Sequence, residues 1–163
     1  AKNTTPDKLS ACILKRQRHD LIVESLNSVG VKINYISDGD VSGVISVAYP
    51  ISNIDIYIGI GGGPEGVLAA SALNCLECQM QTRLVFQDTS QKNKAIGLGI
   101  KDLSKKYNIE DMVNGDVIFS ATGVTDGDLV KGIKDLGDTF QSETFVLHKS
   151  SKINKIIKNQ LKK

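Results

Sequence analysis

No apolar run in this 163-residue chain is long enough to span a bilayer, and no charged-then-apolar leader opens it, so a membrane or secreted protein is not expected. Cysteine is sparse and odd in number: Cys12, Cys75 and Cys78. That count argues against a disulfide framework and suits a reducing cytoplasm. Cys75 and Cys78 form a lone C-x-x-C, but zinc needs two further ligands at similar spacing and none is visible, so both read as reduced thiols. With three prolines and no low-complexity run, no linker divides the chain, and residues 1–163 read as one α/β domain with a core of its own. A net charge of +2 without a basic stripe interleaved with aromatics excludes nucleic acid as the default partner. Two histidines, His19 and His148, give no ground for a Ser-His-Asp or Cys-His arrangement. The first residue is Ala1 and not methionine, so the expected N-terminus is an artificial edge or a cut.

Arginine is the scarcest charged type. Only Arg16, Arg18 and Arg83 occur, while the other seventeen of the twenty basic residues are lysine. Two of the three arginines stand two positions apart. In an extended segment "RQR" would aim both guanidiniums to one side of Gln17, and paired planar donors suit a phosphate. His19 would add a third donor. A solvated helix start explains the same charges equally well.

What is present is an alternation of strand and helix. Strands are expected over 10–16, 31–36, 54–60, 81–86, 116–122 and 143–150. Helices are expected over 18–30, with Leu21, Ile22, Leu26 and Val29 as the apolar face and Gly30 as the stop, and over 40–49, 65–76, 90–107 and 125–135. The last begins with a capping-box-like Thr125 and Asp128. The tail from residue 152 is basic and weakly amphipathic. Strands separated by helices imply parallel neighbours, so the expected fold is a three-layer, mostly parallel sheet flanked by helices.

In such sheets ligands gather at the carboxyl ends of the strands, and the ends of the first, second, third and fifth carry unusual residues, the first three lying along one edge if those strands are parallel. The first ends in "KRQRHD". The second ends in "SDGD", where Gly39 allows a tight turn with positive φ, Asp40 can cap the next helix, and Asp38 has no structural excuse. Such acids accept hydrogen bonds from sugar hydroxyls or bind hard cations. Arginines for a phosphate beside acids for hydroxyls describe a phosphorylated polyol. The third end, "GIGGGPEG", contains a dinucleotide-like Gly61-x-Gly63-x-x-Gly66 with Asp88 further on. Glu65 spoils that reading, because a carboxylate at the helix N-terminus repels a pyrophosphate. A metal between Glu65 and a phosphate accounts for the acid better, while a dipole-favoured first-turn glutamate is the plain alternative. The small residues of "SATGVTDGDL" read as tight packing.

Taken in order, "RQRHD", "ISDGDV", "YIGIGGGPEGVLAA" and "DVIFSATGVTDGDL" resemble the second half of the class II (GlpX-type) bacterial fructose-1,6-bisphosphatases, over about residues 10–150. The resemblance implies a sugar-phosphatase α/β fold and metal-assisted hydrolysis of the 1-phosphate of fructose 1,6-bisphosphate in gluconeogenesis, with Mn2+ or Mg2+. It implies that Arg16, Gln17 and Arg18 hold substrate phosphate, that Asp38, Gly39 and Asp40 bind the sugar, that Gly62 contacts substrate and that Glu65 is a metal ligand. In that family most metal-binding acids and the catalytic segment lie in the N-terminal half, so the chain reads as the C-terminal half and catalytic residues are not assigned. The implied partners are a sugar bisphosphate and the N-terminal half of the same enzyme, with a homo-oligomer left open. The readings that compete with it are a sugar-phosphate-binding fragment without catalysis and a dinucleotide-dependent oxidoreductase domain.

Overall fold

The computed structural model describes residues 2–163. β1 (Ser10–Leu14) is the central strand of a parallel sheet with β2 (Lys32–Ile36) on one side and β3 (Ile56–Tyr57) on the other. Ala11, Cys12, Ile13 and Leu14 are all buried, as a central parallel strand covered on both faces requires. α1 (Asp20–Ser28) crosses from β1 to β2 and α2 (Asp40–Ser46) from β2 to β3. The positive φ of Gly30 (80°) ends the α1 turn as expected. Leu21 and Val29, however, are exposed, so only part of the expected apolar face is covered. α3 (Gly63–Cys75) follows β3, and its Ala69, Ala70, Ala72 and Leu73 are buried.

The α/β class and the parallel sheet packed with helices hold, but the parallel set ends at the third strand. β4 (Gln81–Thr82) pairs antiparallel with β5 (Tyr107–Asn108) in a separate ribbon. Between them α4 (Thr89–Gly97) stops ten residues short of its expected end, at Gly97 and the positive-φ Gly99. α5 (Ile109–Met112) is a single turn. The fifth and sixth expected strands then lie antiparallel in a second sheet. β6 (Ile118–Thr122) and β7 (Lys134–Asp135) pair with one edge of β8 (Thr139–His148), and β9 (Ile153–Lys162) runs along the other. Only four residues join β8 to β9, too few for a parallel crossover, so the basic tail becomes the return strand of a hairpin.

The expected helix over 125–135 is absent. A loop replaces it, held by Gly132 N–H on Asp126 Oδ1 (2.9 Å) and Lys131 N–H on Glu143 Oε2 (3.0 Å). A Cβ on Gly123 would stand 2.2 Å from the Lys131 carbonyl oxygen, so that glycine is where two backbones meet. The small residues of this motif therefore serve packing. The core joins the two sheets: Ile45 of α2 and Ala72 of α3 pack on Phe119, Phe145 and Leu147 of the antiparallel sheet, with the two phenyl rings edge to face.

Asp116 meets His148 and Ser150, 32 and 34 residues further on, at the β8–β9 turn. Asp116 accepts hydrogen bonds from Ser150 Oγ (2.7 Å), His148 Nε2 (2.8 Å) and Ser150 N–H (3.1 Å). Ser151 Oγ donates to His148 Nδ1 (2.6 Å), which completes a latch on the hairpin. The Ser150 hydroxyl and then His148 lower the Asp116 carboxyl from 3.8 to about 2. Because the folded value lies below the unfolded one, this carboxylate stabilises the fold fully above about pH 4, and the contribution is lost as pH falls through about 2. In thermal melts from pH 5 to pH 2, Asp116→Asn is therefore expected to lose less stability than the wild type. An identical slope for the two proteins would show that Asp116 contributes nothing to acid sensitivity.

Candidate functional site

The three unusual loops do lie together, at the carboxyl ends of β2, β1 and β3. β1 sits between its partners, and its two arginines reach one to each side. Arg16 Nη1 donates to the Ser37 carbonyl in the loop after β2 (3.0 Å) and to Lys15 O (2.8 Å). Arg18 Nε donates to the Ile60 carbonyl in the loop after β3 (2.7 Å). The expected extended "RQR" is replaced by a 3-10 turn over Gln17–His19, which is why the guanidiniums splay instead of pairing. Both remain exposed, with N–H groups left over for an anion. Gln17 is exposed, and a cavity of about 250 Å³ opens beside it and Arg16, with Leu14, His19 and Tyr35 in its walls.

His19 is not a third phosphate donor. It is buried, and Nε2 accepts the Ile60 N–H (2.9 Å) while Nδ1–H donates to Leu14 O (2.6 Å). The ring ties the end of β1 to the glycine turn, a role with no local sequence signature, because both partners are backbone groups and one is 41 residues away.

The "DGD" turn has Gly39 at φ 74°, as the sequence predicts, but Gly39, not Asp40, is the N-cap of α2. Asp38 Oδ1 accepts the Gly39 N–H (2.8 Å) and so braces the turn, leaving its other oxygen free. Asp40 Oδ1 accepts the Val41 N–H (2.9 Å), and Oδ2 faces the glycine turn: a Cβ on Gly61 would lie 3.5 Å from it and 3.4 Å from Glu65 Oε2. Two carboxylates thus flank one glycine.

Glu65 Oε2 accepts the Gly62 N–H (2.8 Å), the reciprocal half of a capping box. A Cβ on Gly62 would stand 3.0 Å from that oxygen, so a side chain there would push the carboxylate aside. The bond removes the dinucleotide reading, because the N–H a pyrophosphate would use is already occupied. Asp88 is spent as well, capping α4 through Gln91 N–H (2.8 Å) outside the parallel sheet. Carboxylate oxygens suit a hard divalent cation. Asp40 and Glu65 fit one as a partial donor set, since no group of three His, Cys, Asp or Glu able to hold a metal occurs among the described residues.

Tyr57, which the sequence reading passed over, stands beside these acids. Burial and then Asp40 push its phenol up to about 12, with Glu65 adding to the rise and Arg18 opposing it. The signal was available: Tyr57 and Gly59 lie two apart on a strand, hence on one face, with the glycine leaving room for the ring.

The family of bacterial fructose-1,6-bisphosphatases encoded by glpX matches residues 1–161. The chain belongs to this family. It is 37% identical over 163 aligned positions to a fructose-1,6-bisphosphatase class 2 of Haemophilus influenzae, with 91% of this chain and 49% of that relative covered. A D-fructose 1,6-bisphosphatase class 2/sedoheptulose 1,7-bisphosphatase of a Synechococcus species is 32% identical, covering 88% of this chain and 45% of the relative. One of the same name from Trichodesmium erythraeum is 31% identical, covering 93% and 48%. The chain thus spans about half the length of these curated relatives of the class II fructose-bisphosphatases.

Proposed function

We propose that this chain is the substrate-gripping half of a class II fructose-1,6-bisphosphatase, which hydrolyses the 1-phosphate of fructose 1,6-bisphosphate to fructose 6-phosphate. The observation that carries the reading is the stitching of the arginine turn to the "DGD" and "GGGPEG" turns at one edge of the parallel sheet. In this assignment Arg16 and Arg18, with Gln17 between them, bind a substrate phosphate, and their remaining N–H groups make charge-assisted hydrogen bonds. Asp38, Gly39 and Asp40 take the sugar hydroxyls, and Gly62 lets the substrate approach the backbone. Glu65 would hold Mn2+ or Mg2+ together with acids from the rest of the enzyme, with Asp40 facing the same glycine. A bound cation of this kind polarises phosphoryl oxygens and makes water a better nucleophile.

The surface supports a partner half. The chain exposes 11027 Å², against about 7,900 Å² for a compact monomer of this mass. Ile51, Leu98, Val124 and Ile118 are among its exposed apolar side chains. A reducing cytoplasm belongs to the same reading, since all three cysteines are free.

Calorimetric titration tests the grip. The chain is expected to bind fructose 1,6-bisphosphate and not NAD. Arg18→Ala is expected to weaken the sugar bisphosphate by about 10- to 150-fold, the value of one hydrogen bond to a charged group. Binding of NAD in preference to the sugar bisphosphate would overturn the assignment.

A further inference from the structure

Tyr57 is clamped in one orientation by two glycines on different elements. A Cβ on Gly43 of α2 would stand 3.0 Å from Tyr57 Cε2, and a Cβ on Gly59 would stand 3.2 Å from Cε1 and 3.3 Å from the phenolic oxygen. The ring therefore lies in a slot between the helix and the strand's own continuation, with its hydroxyl at Gly59, where the chain enters the glycine turn. Tyr57, Gly59 and Gly61 are spaced two apart, so while the chain stays extended they address the same side. On the facing helix Asp40 lies three residues before Gly43, on the same face, and its Oδ2 is directed at Gly61. The phenol and this carboxylate accordingly border the same space, with Glu65 on its far side. Tyr57 is half-buried, and no buried side-chain oxygen or nitrogen among the described residues lacks a partner, so the hydroxyl is not sealed into the core.

A phenol at neutral pH offers an O–H donor, and a carboxylate offers only acceptors. A group that fits between them must accept from one and donate to the other. A hydroxyl does both, whereas a phosphate dianion cannot donate to Asp40 and is repelled by its charge. The anion belongs with the exposed guanidiniums of Arg16 and Arg18, which splay to the loops after β2 and β3. We propose that Tyr57 is a specificity residue that donates a hydrogen bond to a sugar hydroxyl held by Asp40, so that the site distinguishes a polyol phosphate from inorganic phosphate. This inference rests on the sugar-phosphate reading of the site and assigns the residue that senses the sugar.

The test is a pair of NMR titrations of the full chain, wild type and Tyr57→Phe, with fructose 1,6-bisphosphate and with inorganic phosphate as probes. Phenylalanine keeps the ring in its slot, so the melting temperature is expected to stay within a degree or two of wild type, as removal of an unpartnered hydroxyl implies. Tyr57→Phe is expected to weaken the sugar bisphosphate by about 3- to 10-fold, the value of one neutral hydrogen bond, and to leave inorganic phosphate unchanged. Unchanged affinity for both probes would overturn the role of Tyr57 while leaving the site standing. Equal loss for both would make Tyr57 a support of the fold or of the phosphate grip and overturn it as well. If the wild type gives no response to the sugar bisphosphate, the site reading fails and takes this inference with it.

Discussion

Glu65→Gln in the full-length enzyme is expected to lower kcat on the order of 100-fold and to raise the metal concentration needed for half-maximal rate, while the melting temperature barely moves. Two roles of one side chain are separable here. As a capping residue Glu65 supplies an oxygen to the Gly62 N–H (2.8 Å), and glutamine at the same position supplies one too. As the proposed metal ligand it would supply negative charge, which glutamine lacks. Losing a group that stabilises developing charge in a closed site costs a factor of about 10² to 10³. Part of the defect is recovered at high Mn2+, because weakened affinity is one component of it. Glu65→Ala goes further. It removes the cap as well, so it is expected to lose about 0.5–2 kcal/mol of stability in addition to the rate. The decisive comparison is kcat, metal dependence and melting temperature for both variants side by side. Wild-type kinetics in the glutamine variant, with destabilisation only in the alanine variant, would reduce Glu65 to a helix-start residue.

Phosphate release from the 163-residue chain alone is expected to stay at background with fructose 1,6-bisphosphate and Mn2+. The reason is the donor count. Among the described residues, Asp40 and Glu65 are the only acids facing Gly61 across the glycine turn, and no three-ligand cluster exists. A cation held by so few protein ligands would leave its water without a positioned base, so the in-line geometry that phosphoryl transfer needs would not be enforced. The chain is still expected to bind the sugar bisphosphate. Addition of the N-terminal half of a class II relative is expected to restore turnover and to cover part of the exposed apolar surface. Steady Mn2+-dependent turnover by the purified chain would show that a complete catalytic set exists within these residues.

Much of the first half of the chain was legible from periodicity. The continuous apolar run Ala11–Leu14 marked a doubly covered strand, Gly30 and Gly39 marked turns needing positive φ, and the glycines before Pro64 marked a helix entry. These are local signals, read within a turn or two of the chain, and local energies decide them. The same logic misled beyond residue 116. Thr125 and Asp128 look like a helix start, but Gly123, Gly127 and Gly132 favour a loop whose backbones touch, and the partner of Gly123 is the carbonyl of residue 131. Short strands such as 81–86 were overestimated for a related reason. Only two of those residues find a partner strand, and pairing, not propensity, makes a strand.

The sequence by itself determined the residue types at the carboxyl ends of the first three strands, and with them the family and the chemistry the site can support. It also determined that these strands are parallel, because a helix-length connection separates each pair. Tertiary structure decided what each side chain does there. Arg16 and Arg18 splay to opposite neighbours because the central position of β1 puts a loop on either side. His19 becomes a staple because two backbone groups come within reach of its ring, and Tyr57 joins the site because Gly43, on another element, leaves it a slot. Parallel or antiparallel order in the second sheet was likewise decided by a four-residue connection and by packing on Ile45 and Ala72. The division follows from range. Turn and helix preferences are set by a few adjacent dihedrals, whereas the partner of a guanidinium, an imidazole or a strand edge is chosen among groups tens of residues away, by which contact the assembled core permits.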